Sequence, residues 1–412
     1  MSALAADAGP AGRLPRLLAG LRHDRPVSLD EHLARLGPLP RIDLIAAVEA
    51  SGLRGRGGGG FLTGAKLRSV AGRRGRAVVV VNATEAEPVC AKDKVLLRHV
   101  PHLVLDGAAA VATALGAREA IVVVGESAHA EQATVAHAID ARARQGSDGR
   151  VTLRLAVAPP MFVAGEETAL VSLLNGRAAK PTFKPPLPFE RGVGGAPTLI
   201  QNAETLAHVA LIARFGPEWF RELGTVEEPG SALVSVSGAV RRPGVHEFAL
   251  GTPLREVVAG AGGLTAPAQA LLVGGYFGSW VTAEQAQRLE LCAASLRRVG
   301  ASLGAGAVVV LPASACGVRE TARVARWLAD ESAGQCGPCV HGLAAVAHAL
   351  ERLAAAGGAD VRPQLERWLG QIEGRGACRH PDGAVRFVAS ALAVFEDEIR
   401  RHLRGRCAGA AR

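Results

Sequence analysis

Two features of this chain have residue types and spacings that do chemistry. The first is a glycine run, SGLRGRGGGGFLTGAK, at residues 51–66. Glycines 55, 57, 58, 59 and 60 reach positive φ without steric cost and let backbone N–H groups come close to a ligand. Arg54, Arg56 and Lys66 bring positive charge to the same place. A basic glycine loop between an apolar helical stretch (42–50) and a second helix starting near residue 63 is the chemistry of a phosphate cradle. Flexible linkers are also glycine-rich, but they rarely carry Arg-Gly-Arg-Gly followed by Phe and Lys. The second feature is the pair Cys336 and Cys339 in a chain of 7 cysteines. In a reducing compartment a Cys-x-x-Cys pair points to metal or redox chemistry rather than to disulfides.

The elements that position these residues follow from patterning. The chain has 412 residues and a formal net charge of +9, which suits acidic ligands or an acidic protein partner. No aromatic–basic interleaving or nucleic-acid motif is present, so no nucleic-acid partner is expected. No apolar run reaches the length of a membrane span, and the N-terminus lacks a signal-peptide layout, so a cytoplasmic protein without direct membrane insertion is expected. Residues 1–39 read as a mobile Ala/Gly/Pro/Arg-rich extension ending in a short helix at 29–36, which Ser28 and Glu31 would cap. Apolar runs at 77–81, 120–124 and 151–158 read as buried strands alternating with helices at 103–115 and 131–144. Residues 82–94 and the Pro/Gly-rich 183–198 read as loops, and 202–215 as a helix. This is an α/β layer with a parallel sheet over about 40–225. Residues 231–312 alternate with period two around an RRPG turn and read as a small β-rich domain with one helix at 253–260. Residues 318–405 hold helical stretches separated by glycine clusters and read as a small helical bundle, with the Cys-x-x-Cys between the first two.

Five motifs stand in order along the chain: SGLRGRGGGGFLTGAK, NATEAEP followed by VCAKDK, VAGEETALVSLLNGR, KPPLPFERGVGGAPTLIQNAETL, and ESAGQCGPC. Together they resemble the NADH-oxidising flavin subunit of respiratory complex I, a family shared with the diaphorase subunits of NAD-linked hydrogenases and formate dehydrogenases. The resemblance covers roughly residues 40–400. It implies a Rossmann-like FMN domain, a ubiquitin-like β-grasp domain and a helical domain carrying an iron–sulfur cluster. It also implies FMN and a 4Fe–4S cluster as cofactors, NADH as substrate, and a site peripheral to a membrane complex.

The family's FMN loop matches Gly55, Arg56, Gly57, Gly58, Gly59 and Gly60, with Lys66 at the matching lysine. Its Asn-Ala-Asp-Glu-x-Glu-Pro is Asn82, Ala83, Thr84, Glu85, Ala86, Glu87 and Pro88, so an aspartate has become Thr84. Its Gly-Glu-Glu-Thr is intact as Gly165, Glu166, Glu167 and Thr168. Its paired asparagines are Gln201 and Asn202. Around a flavin these residues make chemical sense: glycine N–H groups and a lysine suit the phosphate, and amides and carboxylates suit ribityl and nicotinamide-side groups. Glu166 and Glu167 read equally as a helix N-terminal turn stabilised by the macrodipole. Phe61, Glu87, Glu167 and Lys184 form the implied NADH site. The family's other stacking phenylalanines appear here as Ser69 and Leu187, and Phe183 or Phe189 could compensate.

The implied metal ligands are Cys336, Cys339 and Cys378, with Ala333 at the first position of the cysteine motif. Three thiolates suit a 4Fe–4S cluster whose fourth iron is held by a non-cysteine group, by Cys316 or by solvent. They also suit zinc completed by His341 or His380. Cys90, Cys292, Cys316 and Cys407 otherwise read as small core or loop residues.

The resemblance implies an FMN-dependent oxidoreductase that takes hydride from NAD(P)H and passes single electrons through the cluster to a ferredoxin-like protein or to other subunits of a complex. No catalytic acid or base is needed, since the flavin carries the chemistry. The departures at Thr84, Ser69, Leu187 and Ala333 also fit a non-catalytic assembly role, or a flavoprotein with another electron donor.

Overall fold

A computed structural model describes residues 14–22, 24–355 and 357–407. The chain divides into two compact units. One holds the described residues up to Lys180, then Lys184–Val234 and Val245–Thr252; the other holds Pro181–Phe183, Ser235–Gly244 and the chain from Pro253 onward.

The first unit is built on a parallel sheet. Strands β1 (Val78–Ala83), β2 (Glu119–Gly125), β3 (Thr152–Ala158) and β4 (Thr198–Asn202) lie in the order β3-β2-β1-β4. The β-branched runs of β1 and β2 are buried on both faces, as a sheet covered by helices requires. Helices Pro101–Ala114, His129–Gln145 and Ala203–Arg221 cover one face, and the helix Glu167–Leu174 packs on the other through Leu170 and Val171. Gly107 sits so close to the Ala203–Arg221 helix that a Cβ there would lie 1.9 Å from the Leu206 carbonyl oxygen, so only glycine allows this helix–helix approach. Buried Asp106 ties this face together, with His32 Nε2 at 2.6 Å, Arg142 Nη1 at 2.8 Å and Arg214 Nη2 at 2.5 Å.

Strand β4 starts at the end of the expected 183–198 loop and the helix Lys92–His99 starts inside the expected 82–94 loop; no signal in the sequence marks either element. Strand β4 is short and follows a Pro/Gly-rich stretch. The helix is held by a cap from outside itself: Glu85 accepts from the N–H groups of Asp93 and Lys94, both at 2.9 Å. The N-terminal extension also differs from expectation. Residues 1–13 lie outside the described residues, but Leu17, Leu18 and Leu21 are buried rather than mobile. The reason is a single carboxylate: Glu247 accepts from the backbone N–H groups of Arg16, Leu17 and Leu18 at 2.8, 2.9 and 3.3 Å.

Strand β5 (Ser231–Gly238) starts in the first unit and ends in the second, and β6 (Gly244–Ala249) lies beside it. In the second unit β7 (Ala268–Val273) pairs antiparallel with β8 (Ser279–Thr282) and with β9 (Ala307–Pro312), and β9 runs parallel to the end of β5. The helices Gly317–Asp330, Ala344–Ala354, Arg362–Ile372, His380–Val394 and Glu396–Leu403 follow. A π-helical turn, Pro338–Leu343, leads into the second of these and carries Cys339.

Candidate functional site

The register of the parallel sheet assembles the first site. Asn82 on β1 pairs with Asn202 on β4, at the C-terminal ends of both strands. In open α/β sheets this is the edge at which ligands bind. Asn82 Nδ2 donates to the Gly165 carbonyl at 2.8 Å, and Thr84 Oγ1 donates to Asn82 Oδ1 at 2.9 Å. A Cβ on Gly165 would sit 2.6 Å from Thr84 Oγ1, so glycine is needed for this close approach. Asn202 Oδ1 caps its own helix through Glu204 N–H at 3.1 Å, and Nδ2 donates to Asp93 Oδ2 at 2.5 Å. Gln201 is buried beside Val81 on β1.

The glycine loop is pinched at its base and open at its tip. Gly55 N–H donates to the Phe61 carbonyl and Thr63 N–H to the Leu53 carbonyl, each at 2.8 Å. Gly57, Gly58 and Gly59 are exposed, and Gly58 has φ +98°. A Cβ on Gly57 would come within 3.2 Å of Asn202 Cβ, which puts the loop tip over the end of β4. Lys66, in the helix Thr63–Ala71, donates to the Ile200 carbonyl at 2.7 Å. Burial holds its ammonium below the ordinary lysine value, against the pull of Glu167 at 3.8 Å. Lys184 lies 2.6 Å from Glu167 and 3.0 Å from Glu166. Burial disfavours its charge, but hydrogen bonds to both carboxylates outweigh that and raise its pKa. Glu166 also caps the helix Glu167–Leu174, accepting from Thr168 N–H at 2.7 Å and Ala169 N–H at 3.1 Å. The helix-cap reading of the Glu-Glu pair is thus realised at Glu166, in the same place as a lysine–carboxylate cluster.

Other residues singled out in the sequence point elsewhere. The guanidinium of Arg56 is buried away from the loop tip, donating to the Ser231 carbonyl at 3.0 Å and lying 3.9 Å from Glu204. The Glu85 carboxylate serves the Lys92–His99 helix. Burial first, and the negative charge of Asp93 second, push it up to about 7, against Lys92 and its two backbone hydrogen bonds. Glu87 is buried. Phe61 is 75% exposed and offers a stacking face, whereas Phe189 lies under Arg73, whose Cζ is 4.9 Å from the ring centroid. Ser69 is exposed and Leu187 half-buried.

Sequence reasoning missed the charges beneath this site. Lys92, Asp93 and Glu204 are all buried, with Lys92 Nζ 2.9 Å from both carboxylates and 3.3 Å from Asn202 Oδ1. Burial opposes the Lys92 charge, but Asp93 and Glu204 outweigh it and raise its pKa. The signal lay in the AKDK and NAETL segments of the quoted motifs.

In the second unit Cys336, Cys339 and Cys378 come together. The Cys339 thiol is pushed up to about 12 by burial first, then by Cys336 and Cys378. Ala333, at the first position of the cysteine motif, is buried. His341 is exposed, and the Nε2 of His380 is bonded to the Leu328 carbonyl at 2.7 Å. Cys316 has other partners: His402 Nε2 lies 3.3 Å from its Sγ.

Comparison with known proteins follows this geometry. Residues 48–211 match the Nuo51 FMN-binding domain, 233–275 the SLBB domain, and 319–402 the NADH-ubiquinone oxidoreductase-F iron–sulfur binding region. An NADH-quinone oxidoreductase F subunit of Rhizobium meliloti is 34% identical over 384 residues, covering 90% of this chain and 91% of that protein. The chain belongs to the family of NADH-quinone oxidoreductase F subunits. The corresponding protein of Mycobacterium bovis is 35% identical over 93% of this chain and 89% of its own length. Among solved structures, an NAD+-reducing [NiFe]-hydrogenase in the H2-reduced state superposes with a TM-score of 0.81 at 34% identity. That match covers 87% of this chain, which spans 62% of the hydrogenase chain. Membership in this family brings the glycine loop, the strand-end amides and the three cysteines under one reading. Among the described residues no single helix is long and apolar enough to cross a membrane.

Proposed function

We propose that this chain is an FMN-dependent NADH dehydrogenase subunit that delivers single electrons through a 4Fe–4S cluster to a partner protein. The observation that carries the proposal is the register of Asn82 and Asn202 under an exposed glycine tip, in a chain that aligns with NADH-quinone oxidoreductase F subunits along most of its length. When bound, FMN takes up two electrons as hydride and gives them out singly, which makes it the natural converter between a nicotinamide and one-electron carriers.

The residues present fit that group. The exposed tip at Gly57, Gly58 and Gly59, flanked by Gly55 and Gly60, offers backbone N–H groups to a phosphate, and Lys66 adds a charge beside it. Asn82, Gly165, Gln201 and Asn202 offer amides and a backbone carbonyl for the ribityl chain and ring edge. Thr84 supplies a hydroxyl where the family pattern has a carboxylate, so this side of the site carries one negative charge fewer. Arg56, Glu85 and buried Lys92 act as supports: they fix the loop, the adjoining helix and the Asn202 amide. Glu166, Glu167 and Lys184, with Glu87 and the open face of Phe61, serve the dinucleotide side.

The cysteine set fits a cluster better than a single zinc. Residues 319–402 match the family's iron–sulfur binding region, which supports iron at these thiolates. The His380 Nε2 is bonded to the Leu328 carbonyl and Cys316 lies against His402, which supports iron over a zinc completed by either. Three thiolates then hold the cluster, and the iron nearest Ala333 takes a ligand other than protein thiolate. The proposed organisation is an FMN and NADH segment at 40–225, a β-grasp segment at 231–312 and a helical iron–sulfur segment at 318–405, in a cytoplasmic complex with a ferredoxin-like or larger electron-accepting partner. The test is cofactor analysis of anaerobically purified protein. One FMN per chain, with iron lost on Cys378→Ser while FMN stays, supports the assignment. Protein that cannot be reconstituted with FMN would favour the assembly role.

A further inference from the structure

The cluster of Cys316, His402 and Cys407 is separate from the proposed cluster ligands Cys336, Cys339 and Cys378 and is built like a metal site. Their ligand atoms all lie within 4.8 Å of one another. Cys316 is the N-cap residue of the helix Gly317–Asp330. His402 lies in the last turn of the helix Glu396–Leu403, and Gly405, at φ +73°, turns the chain so that Cys407 returns to it. Arg406 N–H to the Arg401 carbonyl at 2.9 Å and Gly405 N–H to the His402 carbonyl at 2.9 Å hold that turn. Three separate backbone constraints thus bring two sulfurs and an imidazole to one point.

The orientation of His402 is the second observation. The ring is fully buried. Its Nδ1 faces the Leu353 carbonyl at 3.1 Å, and since a carbonyl only accepts, Nδ1 carries the proton. In the neutral ring Nε2 is then the lone-pair nitrogen, and it lies 3.3 Å from Cys316 Sγ. A histidine whose far nitrogen is locked by a backbone carbonyl is oriented as metal-ligating histidines are. The third observation is Glu398, one helical turn before His402 and 1% exposed. Its Oε2 accepts from Gln269 Nε2 at 2.8 Å and Gly317 N–H at 3.1 Å, while its Oε1 is buried with no hydrogen bond. Glu398 also hydrogen-bonds the Cys316 thiol, so the carboxylate supports that ligand from behind and is not itself one of the three.

We propose that Cys316, His402 and Cys407 bind one zinc ion, completed by water. Two thiolates and a neutral imidazole are a soft, tetrahedral donor set that favours zinc over the hard divalent cations. Zinc has no redox chemistry, so the ion is structural: it ties the start of the C-terminal helical segment to its end and encloses Cys336, Cys339 and Cys378 between its ligands in sequence. Binding releases the thiol protons to solvent, and no electron is transferred.

The test uses the full chain, expressed with added zinc and purified anaerobically, with zinc and iron measured together. One zinc per chain is expected in addition to iron. Cys407→Ser, at a half-buried position beyond the last helix, should lose the zinc while keeping the iron and the circular-dichroism spectrum. His402→Gln is the second variant, with the same expectation for zinc. Cys336→Ser should do the reverse, losing iron and keeping zinc. Loading the metal-free protein with Co2+ should give a thiolate-to-cobalt charge-transfer band that Cys407→Ser removes. Protein that takes up neither zinc nor cobalt overturns the proposal. So does zinc that survives both Cys407→Ser and His402→Gln, or a Cys316–Cys407 disulfide in the anaerobically purified protein.

Discussion

Replacing Lys92 by methionine tests whether the buried charges beneath Asn202 and the proposed flavin site work as one unit. Lys92 is 3% exposed, with Asp93 Oδ1 and Glu204 Oε2 each 2.9 Å from Nζ. At an effective dielectric constant of about 20, each such pair attracts by roughly 6 kcal/mol. Burying the ammonium costs several kcal/mol, so much of that attraction is offset in the native protein. Methionine keeps the length of the stem but removes the cation, leaving two carboxylates facing each other without compensation. Breaking a buried pair in this way costs about 3–5 kcal/mol. The expected result is a fall of that size in unfolding free energy from denaturant titration, with weaker FMN retention because Asn202 loses its Lys92 contact. The decisive comparison is Lys92→Met with Glu204→Gln. If the cost comes from unpaired charge, the double variant is less destabilised than the sum of the two single variants, by more than about 0.5 kcal/mol. Strict additivity, or a loss below about 1 kcal/mol for Lys92→Met, would refute the reasoning.

Four further outcomes are expected. Gly58→Val, at φ +98°, should abolish FMN retention in gel-filtered protein, and Lys66→Ala should raise the FMN dissociation constant by roughly 10- to 150-fold, as expected for the loss of a charge-assisted hydrogen bond of about 1.5–3 kcal/mol; stoichiometric FMN in both variants would move the cradle elsewhere. Glu85, pushed up to about 7 by burial and Asp93, binds its proton more tightly folded than unfolded, so its contribution to stability is present at low pH and is lost as pH rises from about 4.5 to 7; Glu85→Gln should flatten that part of the stability–pH curve, and an unchanged curve counts against the placement of this carboxylate. Ser69→Phe with Leu187→Phe should lower the KM for NADH by adding stacking faces worth about 1 kcal/mol each, and an unchanged KM would show that the adenine is held by other groups. Ala333→Cys should supply the fourth thiolate and slow loss of iron in air, which parallel decay of the cluster absorbance in variant and wild type would contradict.

Much of the fold was legible because the signals were local. The runs at 77–81 and 120–124 read as buried strands and are β1 and β2. The Ser28–Glu31 capping box is formed as expected. What escaped depended on partners distant in sequence. The order of residues 16–18 needs Glu247, far along the chain, whereas the Lys92–His99 helix escaped because its cap, Glu85, sits in the preceding loop and not at the N-cap position. Strand β4 is five residues long and becomes a strand only by pairing with β1. For the site, motif order named the amides and glycines but not the direction of side chains. Arg56 looked like a phosphate ligand because it lies between glycines, yet Glu204 and Ser231 draw it inward. The Cys316, His402 and Cys407 cluster was invisible because Cys316 stands 86 positions from His402, at no motif spacing, and only the fold brings the three together.

The central claim is that this chain passes electrons from NADH through FMN, and an anaerobic NADH titration of the purified protein tests it most directly. The visible spectrum should show a yellow flavin over broad cluster absorbance, and NADH should bleach the flavin band within the mixing time, with the band returning when an electron acceptor is added. A yellow protein that dithionite bleaches and NADH leaves unchanged would contradict the account.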